Sequence, residues 1–218
     1  LNNMGNLLRQ QGHFAEALTR LKEAHDLALA ARDVSRLRVA LVILGRVGVD
    51  LGDPAAARPP LERALALADS LVDHRGRAEA LNNLSIAARL EDDARGAERL
   101  AARALAAGVE GGDSLMVHDI AVTLGELALD RGDLEAAHTW FARAAAAGTQ
   151  EASQRAGDIQ NLGAVAARAG RLDDAERYFR EGLALSERTQ APDIAWAALL
   201  GLGDVAERRG DHATALAF

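Results

Sequence analysis

The sequence predicts an all-α fold, a right-handed superhelical solenoid of antiparallel helix pairs, from three observations. A short pattern returns about every forty residues along the whole chain, the apolar content is mostly Ala and Leu, and Gly is spaced rather than clustered. A repeat of that length is one supersecondary unit that cannot bury its apolar face alone and does so on its neighbours. Aromatic residues make up only 3% of a chain that is 49% hydrophobic. Rings are the usual filler of compact globular cores, whereas Ala and Leu favour helices and let them pack closely.

The repeat is legible column by column. Met4, Leu44, Leu84, Leu124, Leu162 and Leu202 form one column, and Gly5, Gly45, Ser85, Gly125, Gly163 and Gly203 the next. The first anchors the leading helix of each unit in the core. The second lets the following helix approach closely, because a side chain there would collide. Seven residues on, Gly12, Gly52, Asp92, Gly132, Gly170 and Gly210 end the leading helix. Gly adopts positive φ freely, and Asp tolerates that region better than most residues. Ala17, Ala57, Ala97, Ala137, Ala175 and Ala215 then mark where the second helix crosses the first, followed by Leu21, Leu61, Ala101, Phe141 and Phe179. Helical spacing assigns Leu18, Leu21 and Leu29 to the core. Asp33, Asp73, Asp113 and Glu151 open the leading helices. The Asp residues can cap them, and all four suit a positive helix end.

In chain order the units run 1–40, 41–80, 81–120, 121–158 and 159–198, with a half unit at 199–218, as one solenoid domain. In the second unit Pro54 falls near a helix start, where proline is tolerated. Pro59 and Pro60 fall inside the second helix, which therefore starts late or kinks. Gly111-Gly112 reads as a hinge between the third and fourth units. The last half unit carries Leu199, Leu200, Leu202 and Val205, then Ala215, Leu216 and Phe218. Contiguous apolar surface marks an interaction site, so the C-terminal end is expected to self-associate or to receive another helix. A chain that opens on Leu1 and stops at Phe218 inside the pattern reads as part of a longer polypeptide.

These columns resemble the tetratricopeptide repeat: Leu-Gly on the first helix, Gly-Asp at the turn, Ala and then an apolar or aromatic residue on the second. Gly52-Asp53, Gly132-Asp133 and Gly210-Asp211 match the turn especially well. The resemblance covers the whole chain. It departs in length, about 40 residues against the usual 34, so one or both helices must be longer. Long forms resemble the regulatory regions of bacterial signal-transduction ATPases, including transcription activators of the maltose-activator type, and also kinesin light chains and peptide-sensing phosphatase regulators. The run Arg77-Ala78-Glu79-Ala80-Leu81-Asn82-Asn83-Leu84 is similar to junctions in the ATPase-linked regulators.

Charge and motifs narrow the chemistry. The net charge is -7 and no basic stripe is present, which argues against direct nucleic-acid contact and against an anionic membrane. No apolar run approaches the ~20 residues that span a bilayer. Cysteine is absent, so disulfide and thiolate chemistry are excluded and a reducing, cytoplasmic setting is expected. Lys22 stands alone against 24 arginines, a bias associated with GC-rich bacterial coding. Lys22 is followed by Glu23 and so belongs to no phosphate-binding P-loop. His13, His25, His74, His118, His138 and His212 make no metal-ligand spacing, and Asp92-Asp93 and Asp173-Asp174 read as caps or solvated turns rather than general acids. No nucleophile elbow is present. The expectation is a non-enzyme with no catalytic residue, no metal and no cofactor.

What remains is a groove lined by the leading helices. The resemblance implies that the positions before Leu-Gly point into it: Asn2-Asn3, Val42-Ile43, Asn82-Asn83, Val122-Thr123, Gln160-Asn161 and Leu200-Gly201. A carboxamide both donates and accepts and can pair with an extended peptide backbone. In peptide-binding relatives that role falls to the second position, here Asn3, Asn83 and Asn161. Arg46, Glu126 and Asp204 lie further along the same face, and Arg9, Arg89 and Arg168 at its end. The other reading is that the amides only link neighbouring helices. The expected partner is a protein or peptide segment, or another domain of the same polypeptide, in the sensor or scaffold region of a bacterial regulator. The alternatives are a stand-alone assembly adaptor and a small-molecule effector domain.

Overall fold

A computed structural model describes residues 1–147, 152–190 and 192–215. Among the described residues there are twelve helices and no strand. They are α1 Asn2–Gln10, α2 Phe14–Ala30, α3 Val34–Asp50, α4 Pro54–Ser70, α5 His74–Leu90, α6 Ala94–Glu110, α7 Ser114–Asp130, α8 Leu134–Ala146, α9 Ala152–Arg168, α10 Leu172–Thr189, α11 Pro192–Arg208 and α12 His212–Ala215. The chain forms two compact units, Leu1–Thr123 and Leu124–Phe218. In each, successive helices pack on one another as pairs. The length beyond 34 residues is shared by both helices, since α3, α4, α5 and α6 each run 17 residues. The pairs open at the acid column, so unit edges drawn at 40, 80 and 120 fall inside α3, α5 and α7. The Leu-Gly signal that set those edges lies mid-helix, where the packing contact is made.

Local chemistry explains the helix ends. Asp33, Asp73 and Asp113 accept from the amides of Arg36, Gly76 and Met116 at 2.9–3.0 Å. Asp53, Asp93 and Asp133 cap the second helices in the same way. The expected cap at Glu151 lies outside the described residues. Gly52 has φ 67° and Asp92 φ 60°, and each turn closes by backbone bonds such as Asp53 N–H to the Gly48 carbonyl at 2.9 Å. The Gly111-Gly112 turn closes with the same pattern, Asp113 N–H on the Gly108 carbonyl at 3.1 Å. α4 starts at Pro54, not late, and runs unbroken through Pro59 and Pro60, which leaves the Ala55 and Ala56 carbonyls without their usual helical donors.

Packing follows the columns. A Cβ on Gly45 would lie 2.3 Å from Leu61 Cγ, and one on Gly125 2.6 Å from Phe141. Ser85 fits in that column by donating its hydroxyl to the Ala97 carbonyl at 2.8 Å. Leu84 packs with Ala57 and Leu61 of the preceding pair, and Leu202 with Ala175 and Phe179. Two core assignments are corrected. Leu18 and Leu29 are exposed, because the buried stripe of α2 runs Ala17, Leu21, Ala24 and Ala28. Met4 is 52% exposed, since its column packs on a preceding pair and none precedes α1 among the described residues. At the other end Leu202 and Val205 are buried against Phe179 while Leu200 is exposed. The apolar end expected there is thus partly taken up internally, and Leu216 and Phe218 lie outside the described residues.

Gly48→Ala should lower the thermal midpoint despite the better helix propensity of Ala. Its Cβ would sit 2.7 Å from the Ala57 backbone nitrogen, and such overpacking costs about 1–3 kcal/mol. Val72→Gly should act oppositely. Val72 holds φ 53° and is exposed, a conformation that costs a side-chain-bearing residue about 1–2 kcal/mol. Thermal and urea unfolding of both variants check the two signs.

Candidate functional site

The first-helix faces hold most of the residues singled out from sequence, and the structure divides them. Asn2 donates its Nδ2 to the Arg36 carbonyl at 3.1 Å, and Gln160 donates its Nε2 to the Ile194 carbonyl. Both carbonyls lie 34 residues on, in the first turn of the next leading helix, so these amides stitch one leading helix to the next. Asn82 and Asn83 are only 9% and 8% exposed. Asn83 donates to the Glu79 carbonyl of its own helix at 2.8 Å. The Oδ1 atoms of Asn2 and Asn82 are buried and accept no hydrogen bond from the protein, a condition that costs free energy unless water or a ligand N–H reaches them. Asn3 is exposed at a cleft of about 570 Å³ that includes Leu1, Leu27 and Val39. Here α1 has 9 residues where α3 has 17, so the cleft lies where other pairs carry two further turns.

Charge on the first unit converges on Arg46. Its guanidinium stands 3.8 Å from Glu79, while Arg9 binds Asp50 at 2.5 Å and Arg38 binds Asp73 at 2.9 Å. Burial, and then the neighbouring Arg9, lower the Arg46 pKa from its ordinary value, against the pull of Glu79, Asp50 and Asp119. Arg89 and Glu126 are half-buried. Arg168 donates to the Leu129 carbonyl at 3.4 Å and Arg208 to the Ala167 carbonyl at 2.9 Å. Each thereby places a cation at the negative end of the preceding leading helix.

In the second unit the structure brings Gln160, Asn161 and Arg168 of α9 together with Leu200, Gly201 and Asp204 of α11 around one cleft of about 390 Å³. Its floor is Ala164, Ala167, Phe179 and Ala197, and Arg208 closes one end with an ion pair to Asp204 at 2.9 Å. Of these floor residues only Phe179 was singled out from the sequence, as a packing column rather than as part of a cleft. The signal was available: positions 160, 164 and 167, and 200, 204 and 208, share a face at helical spacing. Trp196, one turn before Leu200, was also missed and is 61% exposed. Among the described residues no cluster of His, Asp and Glu could hold a metal ion, and no helix is long and apolar enough to cross a membrane.

Paired helices that each bury their apolar face on the next pair, with a cleft between leading helices, define a helical-repeat scaffold. The chain belongs to the tetratricopeptide-repeat family, whose pattern matches residues 1–70 and 155–218. Among solved structures it is similar to BtubC (BKLC) from P. vanneervenii, with a TM-score of 0.77 at 22% identity over 95% of this chain and 87% of that one. It is similar also to a Rap protein complexed with Competence and Sporulation Factor, with a TM-score of 0.79 at 14% identity over 98% and 68%. A third is the apo form of the quorum sensor NprR from B. thuringiensis, at 0.71 and 12% identity over 99% and 62%. At these identities the likeness is one of fold. No curated protein sequence matches this one.

The two amides of α9 should separate in a stability measurement. Gln160→Ala removes a stitch to α11 and should cost about 1 kcal/mol. Asn161→Ala, at a half-buried position in the cleft, should stay within ~0.5 kcal/mol of the parent. Urea denaturation followed by circular dichroism distinguishes them.

Proposed function

We propose that this chain is a non-catalytic module that binds an extended peptide or protein segment, and that it serves as the sensor or scaffold region of a larger bacterial regulator in the cytoplasm. The cleft between α9 and α11 carries the reading. It joins an apolar floor and the exposed Leu200 to an amide, Asn161, and to the charged groups of Arg168, Asp204 and Arg208. That mixture suits a segment that buries one apolar side chain while its backbone meets a carboxamide. The orphan Asn82 acceptor and the half-buried Arg46 extend the proposal to the first unit. A Rap protein of the same fold is complexed with Competence and Sporulation Factor, which is in keeping with ligand binding by this architecture. The regulatory part rests on the likeness of Arg77–Leu84 to junctions in ATPase-linked regulators. A P-loop ATPase or helix-turn-helix domain encoded in the same reading frame would support it.

Panning a random dodecapeptide library on the purified chain tests the binding itself. Enriched peptides are synthesised and titrated by calorimetry against the parent and Asn161→Ala/Leu200→Ser. The double variant should bind about tenfold or more weakly, from one lost hydrogen bond and one lost apolar contact, with its helix content unchanged. Failure to enrich any peptide, or equal affinity for both proteins, would overturn the reading.

A further inference from the structure

At two junctions the same pair of positions braces the end of a leading helix against the second helix of the preceding pair. Arg58 on α4 donates its Nε to Glu91, just after α5, at 3.2 Å, and its NH2 to the other oxygen of the same carboxylate. Glu176 on α10 and Arg209, just after α11, make the same bridge with the charges exchanged, and Arg209 also binds Asp173. Arg58 and Glu176 each follow the invariant Ala by one residue, and Glu91 and Arg209 each precede the turn residue by one. The hydrogen bond to Glu91 raises the Arg58 pKa, and that from Arg209 holds the Glu176 carboxyl below its usual range. At the first junction the same positions carry an apolar pair, Leu18 and Leu51.

At the junction of α8 with the α9–α10 pair these positions are His138 and Ala169. Ala169 has neither charge nor reach. A cleft of about 500 Å³ occupies the place of the brace, lined by Leu134, Glu135, His138, Thr139, Ala169 and Arg171. We propose that this junction is a joint built into the second unit, where α8 and the α9–α10 pair rotate against one another because the brace found between α4 and α5 and between α10 and α11 is replaced by a cleft. Exposed ion pairs add little net stability, but a two-point Arg–carboxylate contact fixes geometry. Its absence therefore acts on rotational freedom more than on folding.

The chain has no cysteine, so spin labels can be placed cleanly. One label pair, at Arg143→Cys and Glu181→Cys, spans the unbraced junction. A second, at Glu181→Cys and Glu207→Cys, spans the braced one. Electron–electron resonance should give a broader distance distribution for the first pair than for the second. His138→Glu with Ala169→Arg, which installs the Glu176–Arg209 arrangement, should narrow the first distribution and leave the second alone. Equal widths in the parent protein, or no narrowing in a braced variant of unchanged helix content, would overturn the proposal. Should the braced variant not fold, Arg209→Ala provides the reverse test. It should broaden the second distribution, and an unchanged width would count against the brace.

Discussion

Everything in the repeat depends on one contact, the leading helix pressed at its Gly/Ser column against the second helix of its own pair. The large residue opposite changes along the chain, from Leu21 and Leu61 to Phe141 and Phe179, while Gly5, Gly45, Gly125 and Gly163 stay constant across from it. The one exception shows why. In the third pair the large residue becomes Ala101, and Ser85 then stands where Gly otherwise does, its hydroxyl used on the Ala97 carbonyl. Interiors packed at crystal-like density allow volume to be traded across a contact but not added to it.

That contact sets where the remaining side chains go. With the helices of a pair held close, much of the leading-helix face before the Leu column meets the next leading helix rather than open solvent. Asn2 and Gln160 therefore end on carbonyls of α3 and α11, and Val42 and Ile43 are buried at the matching positions of α3. An open cleft survives where the pattern is relaxed. Phe179 fills the space against both Gly163 and Gly201, whose Cβ atoms would lie 2.8 and 2.6 Å from the ring. Ile43 holds the position equivalent to Gly201 and is buried there. The small residue at 201 helps to leave the cleft above the ring that α9 and α11 share.

The ion pairs belong to a different level of the structure. Arg58–Glu91 and Glu176–Arg209 are too exposed to hold the fold together, and the two junctions carry the same arrangement with opposite polarity. They act on how freely consecutive pairs turn. Burial holds the pairs together and the braces limit their rotation, so one junction can loosen, as at His138 and Ala169, without loss of the core.

The sequence alone determined the repeat, its helix pairs, the small-residue contact, the positive-φ turns including Asp92, and the Asp caps. All of these arise within one unit or from the spacing of columns, where steric exclusion and local hydrogen bonding leave little choice. Only the tertiary structure decided which amides are occupied, which leucines are buried and where a cleft remains. Leu18 lies beside the buried stripe of α2 by the phase of one helix, a difference that composition does not mark. Asn83 and Asn161 hold the same column in sequence, yet one is buried and bonded to its own helix while the other borders a cleft. The difference depends on what the neighbouring helices place beside them, on residues some forty positions away, and no pattern within a single unit carries that information.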